Sequence, residues 1–204
     1  MALILFSCRG GAIALPARGS ALVGREDGGN LVVHPPRPVW ERSELEADEL
    51  AAWSFLVAAA GRAMIDALPQ LANGCVNYWE AGNWALNDAA EPVGRKSAEQ
   101  HRSVHMHLLG RSPGAADPSW TWGEAPVFPR FAGRREWASN HERLSADECA
   151  RIVARARVLW TDRYGMPDGD APPTKPCPAC GYPTPAEHDA RDRESGECRR
   201  SGSL

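Results

Sequence analysis

The sequence is short of several things that would assign it quickly. None of its 204 residues belong to an apolar run approaching the roughly 20 that cross a bilayer, so no membrane partner is expected. Excess basic charge is missing too: 23 Lys and Arg against 26 Asp and Glu give a net charge of −3, which leaves no footprint for polymeric nucleic acid. A disulfide framework is absent. Cys8, Cys75 and Cys149 stand singly in apolar surroundings and read as reduced core thiols of a cytoplasmic protein. Met1 to Cys8 has no basic start, and its apolar run falls short of the roughly 7–15 residues of a signal core, so it reads as a buried first strand. No internal repeat occurs.

What is present fits one α+β domain, an antiparallel sheet packed with helices, over residues 1–165, with a C-terminal helix and then a flexible tail over 166–204. Short apolar runs at Leu3–Phe6, Ala12–Leu15, Ala21–Val23 and Leu31–Val33 alternate with Gly, Pro and charge and predict strands. Ser43-Glu-Leu-Glu46 has the form of a capping box, and Leu50, Trp53, Val57, Met64 and Leu68 then recur at helical spacing until Pro69. Cys75–Trp79 and Asn83–Asn87 read as strands about a Glu80-Ala-Gly82 turn, and 117–135 as an irregular wrapping segment. A second capping box, Ser145-Ala-Asp-Glu148, opens a helix that buries Cys149, Ile152, Val153, Ala156, Leu159 and Trp160. The tail from about Met166 is too polar to bury a core of its own.

The segment His101-Arg-Ser-Val-His105-Met-His107-Leu-Leu-Gly-Arg111 places three of the six histidines at even spacings. On a strand, alternation puts His101, Ser103, His105 and His107 on one face and the more apolar Arg102, Val104, Met106 and Leu108 on the other. Imidazoles opposite a packed face suit nucleophilic or acid–base chemistry. The same alternation lets imidazoles share a zinc, although no Asp or Glu falls on that face. Eight tryptophans is a high number for this length, and Trp79, Trp84, Trp120, Trp122 and Trp137 flank the histidines as core residues or as an aromatic wall for a base.

His105-Met-His107-Leu-Leu-Gly-Arg111 resembles the end of the His-x-His-x-His-aliphatic-aliphatic signature of the histidine triad (HIT) superfamily, with Ser103 where the first histidine stands. Upstream, Gly28-Gly-Asn30-Leu-Val-Val-His-Pro35 is similar to the family's strand and following loop, with Asn30 in place of the usual histidine. Trp84-Ala-Leu-Asn87-Asp88 resembles its strand ending in a phosphate-facing Asn. The three occur in the family's order.

The resemblance implies a HIT-like fold and a nucleotide substrate. It implies hydrolysis or transfer at the α-phosphorus of a dinucleoside polyphosphate or nucleoside phosphoramidate, through a nucleotidyl-histidine. It makes His105 the nucleophile and His107 a phosphate contact or proton donor. Asn87 and Gln100 become phosphate-side donors, and Ser103, His101 and Asn30 substrate-side residues. The backbone carbonyl at Ser103 would hold the nucleophile's other ring nitrogen, with His101 partly replacing the missing imidazole. No cofactor is required, and a homodimer is expected from the family alone. The other class of function is a non-catalytic nucleotide-binding or scaffold protein that keeps the fold.

Several residues are weaker candidates. Arg95 and Lys96 sit in a loop within reach of a phosphate, His34 reads as surface beside a Pro-Pro turn, and Glu80 and Glu124 are candidates for a ribose. In the tail, Cys177-Pro-Ala-Cys180 is a zinc half-site by spacing, with His188 and Cys198 the available completions.

Overall fold

A computed structural model describes residues 2–168, 175–176 and 183–184 of the chain. Five strands form one antiparallel sheet: β1 (Leu3–Cys8), β2 (Gly11–Leu15), β3 (Asn30–His34), β4 (Cys75–Ala81) and β5 (His105–Arg111). Their order across the sheet is β1-β2-β3-β5-β4, so the last strand in sequence is inserted between two earlier ones. With helices on one side of that sheet, the fold is α+β, as the order of elements predicts. Further along the chain, Lys175–Pro176 pairs with Pro183–Thr184.

Strand alternation divides the sheet into two unlike faces. Phe6, Ile13, Leu15, Leu31, Val33, Val76, Met106 and Leu108 belong to one core cluster with α1 (Ala47–Ala67) and α4 (Ala146–Val158). Trp53 of α1 inserts there and donates through its indole nitrogen to the Val33 carbonyl at 3.4 Å. By length and hydropathy α1 is the one described helix that could cross a membrane, but its Trp53, Leu56, Ala60 and Met64 face are buried inside the domain. On the opposite face, among the described residues, no long helix covers the sheet. Leu22, Val23 and Trp120, brought in by loops, cover Leu109 there, with Trp79, Trp84 and Phe128 packed alongside.

Some boundaries depart from the sequence reading. The capping box of α1 is formed by Glu46 and Glu49, not by Ser43, which lies in a single 3-10 turn (Arg42–Glu44) followed by extended Leu45. The Ser145–Glu148 box does open α4. Ala21–Val23 is buried but irregular, and 83–86 is a 3-10 turn and not a strand. β1 is an edge strand with Leu3 exposed, so it is only half buried. Cys8 and Cys149 are buried thiols as expected, while Cys75, at the start of β4, is exposed. Within the wrapping segment the chain forms 3-10 turns at Pro118–Trp120 and Phe131–Gly133, and then α3 (Arg134–Ser139).

Closure of the β3–β5 pair depends on two glycines in contact. A Cβ on Gly110 would lie 2.2 Å from the Gly28 carbonyl oxygen, and Gly28 itself has φ +120°. Gly110→Ala is expected to destabilise the domain by about 3 kcal/mol, the upper end for forced overpacking. Gly133→Ala, where the added atom meets nothing within 4 Å, should stay within about 0.5 kcal/mol of wild type. Paired urea denaturation curves check both.

Candidate active site

The histidines are assembled by β5 and its two neighbours. His105 and His107 are two apart on β5 and project to the loop-covered face, where His107 is paired in register with Val32 of β3 and Trp79 of β4. His34, at the end of β3, brings a third imidazole, its ring centroid 5.8 Å from that of His105. The His105 and His107 rings are 4.9 Å apart, and Trp79 stacks against His107 at 5.5 Å. Phe128 then stacks on the far side of the arrangement against Trp79, at 4.4 Å. Only 8% of His107 is exposed.

A continuous hydrogen-bonded chain runs through these side chains. His105 Nδ1 lies 3.0 Å from the Ser103 carbonyl oxygen, His105 Nε2 lies 3.2 Å from His107 Nε2, and Asn30 Nδ2 lies 3.5 Å from His107 Nδ1. Chemistry fixes the proton positions. A carbonyl only accepts, so His105 carries hydrogen on Nδ1 and, as a neutral ring, has a bare Nε2. His107 therefore donates through Nε2 and accepts at Nδ1, which requires an N–H donor opposite. Asn30 supplies it. Its amide cannot be turned over without loss, because Oδ1 accepts from the Leu22 N–H at 3.2 Å while Nδ2 donates to the Leu31 and Leu108 carbonyls at 2.9 and 3.3 Å. Four backbone groups thus set the tautomers of both rings.

Burial acts in the same direction. It pushes the pKa of His105 down, opposed by the Ser103 carbonyl and helped by the nearby Arg102 charge. Burial, with His105 and His34 nearby, holds His107 well below the ordinary imidazole value. His34 is lowered by burial and by His105 to about 3. All three rings are neutral near pH 7.

The carbonyl that anchors His105 is itself closely held. Gly82 has φ +138°, and a Cβ there would lie 2.6 Å from the Ser103 oxygen. On either side of Ser103, the Val104 N–H donates to the Val39 carbonyl at 2.9 Å, and Arg102 binds Glu41 at 2.8 Å.

Other sequence candidates fall elsewhere. His101 does not share the histidine face, because it ends a short helix, α2 (Ala98–His101), and its Nδ1 lies 3.2 Å from the Ser97 carbonyl of that same turn. Asn87 is exposed and closes its own loop: its Oδ1 accepts from the Ala89 N–H at 3.0 Å and its carbonyl from Lys96 at 2.7 Å. Gln100 is exposed on α2 and Arg95 on the preceding loop. Asn30, only 2% exposed, lies beneath the histidine face with its amide nitrogen toward His107 Nδ1. Glu80 is engaged with Arg42 at 2.6 Å, and the Glu124 carbonyl accepts from Arg111 at 2.8 Å. Trp79 is the tryptophan that reaches the histidines, whereas Trp122 is exposed and Trp137 stacks on His141. His34 is buried among these rings, 8% exposed, and not at the surface as its Pro-Pro neighbours suggest. Its place two positions beyond Val32 on the same strand face was the available signal.

Among the described residues no three His, Cys, Asp or Glu side chains form a group able to hold a metal ion. Cys177, Cys180, His188 and Cys198 lie outside the described residues. Comparison of the chain with protein-family models, with curated proteins and with solved structures returns no match.

Neutral buried imidazoles make the domain acid-sensitive. His34 ionises at about 3 in the folded chain against an ordinary 6.5, so below 6.5 the unfolded chain binds a proton that the folded chain refuses. Stability therefore falls with pH in that window, by about 1.4 kcal/mol per pH unit for each such ring. His34→Gln should remove one ring's share of the slope between about pH 6.5 and 5. Denaturation curves at several pH values check it, and parallel slopes for the two proteins would contradict it.

Proposed function

We propose that the chain is a HIT-type nucleotide hydrolase or nucleotidyl transferase that attacks the α-phosphorus of a nucleotide compound with His105. The observation that carries this reading is the chain from the Ser103 carbonyl through His105 and His107 to Asn30. It leaves the single bare nitrogen of His105, Nε2, on the same side as a second imidazole N–H, which is what in-line attack on a phosphoryl group needs. The sequence resemblance around His105 and His107 supports it as well.

In the proposed reaction the phosphoryl group enters between the two imidazoles and takes over the His107 Nε2–H as a donor to one of its oxygens. The Nε2 lone pair of His105 forms the P–N bond while the bond from phosphorus to the leaving oxygen breaks. The ring becomes positive, and its Nδ1–H on the Ser103 carbonyl steadies that charge. In hydrolysis water then attacks phosphorus and the P–N electron pair returns to Nε2. One water proton stays on the product phosphate and the other passes to solvent. With a different acceptor the same intermediate gives transfer. Because burial lowers the His105 pKa, the ring is neutral and the nucleophile available at pH 7. His34 stands close enough to His105 to serve as the further imidazole of the pocket, in the place of the one that Ser103 lacks.

A second reading, nucleotide binding without turnover, is favoured by one feature. His107 is almost closed off, with Trp79 against its face and Phe128 stacked on Trp79. The deciding experiment follows α-phosphate-labelled diadenosine tetraphosphate and adenosine phosphoramidate with wild type and His105→Asn. The expected outcome is turnover with acid-labile label on the wild-type protein, and loss of both by a factor of at least ~10³ in the variant. Tight binding with neither turnover nor trapped label would establish the second reading.

A further inference from the structure

Asn30 occupies an unusual position for a side chain beside a reactive centre. It touches no solvent to speak of, yet its amide faces the nitrogen of His107 that lies away from the reacting side. The direction of that contact has a chemical consequence. A ring that accepts at Nδ1 and donates at Nε2 is a neutral imidazole with one proton. Releasing that proton would leave an imidazolate. Taking up a second, at Nδ1, would set N–H against N–H with Asn30. Relief by turning the amide over is blocked, since Oδ1 is committed to the Leu22 N–H and Nδ2 to the Leu108 carbonyl. His107 can therefore hold an oxygen but has no proton to give away.

From this we infer that Asn30 is a positioning residue that sets leaving-group specificity: by fixing His107 as a neutral donor, it confines the site to substrates whose leaving group departs as an anion without being protonated. The inference rests on the function proposed above and narrows it. A phosphoanhydride meets the requirement, because a nucleoside di- or triphosphate leaves as a stable anion. In that step the P–N bond forms, the P–O bond breaks, and the electron pair goes with the departing oxygen, with no proton transferred. A phosphoramidate does not meet it, since its nitrogen must gain a proton to leave as a neutral amine. Depressed His107 basicity from burial agrees with this, because it removes the cationic form that would act as acid.

The test has a spectroscopic arm and a kinetic arm. In the wild-type protein labelled with 15N at histidine, His105 and His107 should show opposite tautomers. His105 should carry its proton on Nδ1 and His107 on Nε2, with no doubly protonated His107 near pH 7. A His107 protonated on Nδ1 or on both nitrogens overturns the assignment whatever the turnover. Kinetically, kcat/KM should favour diadenosine tetraphosphate over adenosine phosphoramidate by on the order of 10²-fold or more, the range that general acid catalysis supplies. Across a series of adenosine 5′-aryl phosphates the rate should fall steeply as the leaving phenol becomes more basic. Asn30→Asp puts an acceptor opposite Nδ1, lets His107 become cationic, and should narrow the anhydride preference by roughly tenfold while flattening that dependence. Equal turnover of anhydride and phosphoramidate by the wild type overturns the inference and leaves the proposed function standing. Turnover of neither overturns the function itself.

Discussion

β5 is the constraint on which the rest depends. It lies between β3 and β4, so both of its edges are spent on ladder hydrogen bonds and its backbone position is fixed from either side. One face of the strand, Met106 and Leu108, is locked into the core over α1. A one-residue slip would drive imidazoles into that core and apolar side chains out, so the register is held by the whole hydrophobic burial of the sheet. The histidine face is therefore positioned by residues on the opposite side of the sheet. The loops above it, with Leu22, Val23 and Trp120, complete the exclusion of water.

Water exclusion turns hydrogen-bond direction into a matter of consequence. In solvent a histidine exchanges tautomers freely. Here the two Nδ1 atoms meet groups whose donor or acceptor character is set by backbone groups of β3, β5 and the loops before each, and the two Nε2 atoms meet one another. The rings kept neutral by desolvation also lie within mutual reach, so His105 lowers the proton affinity of His34 and His107, and His34 that of His107. Fixed tautomers and acid sensitivity thus have the same origin. Elsewhere the domain relies on ordinary paired charge: buried Glu148 is held by Arg25 at 2.7 Å and by Gln70, and its carboxyl is pushed down to about 2 by those bonds and the Ser145 amide, against the opposing effect of burial.

The parts legible in the sequence were those governed by local chemistry. Ser145 and Glu148 cap α4 because the hydroxyl and carboxylate are four residues' worth of helix start in themselves. The alternation from His105 onward was readable because the opposite set is apolar. What could not be read came from competition between local signals or from distant partners. Ser43-Glu-Leu-Glu46 and Glu46-Ala-Asp-Glu49 both have cap spacing, and the chain uses the second because Leu45 is needed in extended form, buried in the core. His101 shares the even spacing of the row, but Ser97 to His101 closes a helical turn before the strand begins. Asn87 follows an apolar triplet that mimics a strand, yet Gly82 with φ +138° has already turned the chain. His34 and Asn30 owe their roles to pairing with β5, whose nearest residues lie over seventy positions away.

Ser103 shows where such a site is vulnerable. Its contact with His105 is made by a main-chain oxygen, a group that every amino acid carries. The exposed flank belongs to Gly82, whose missing side chain leaves room for that oxygen. A side chain at Gly82 would thus disturb His105 through the Ser103 backbone, from a residue with no functional group of its own.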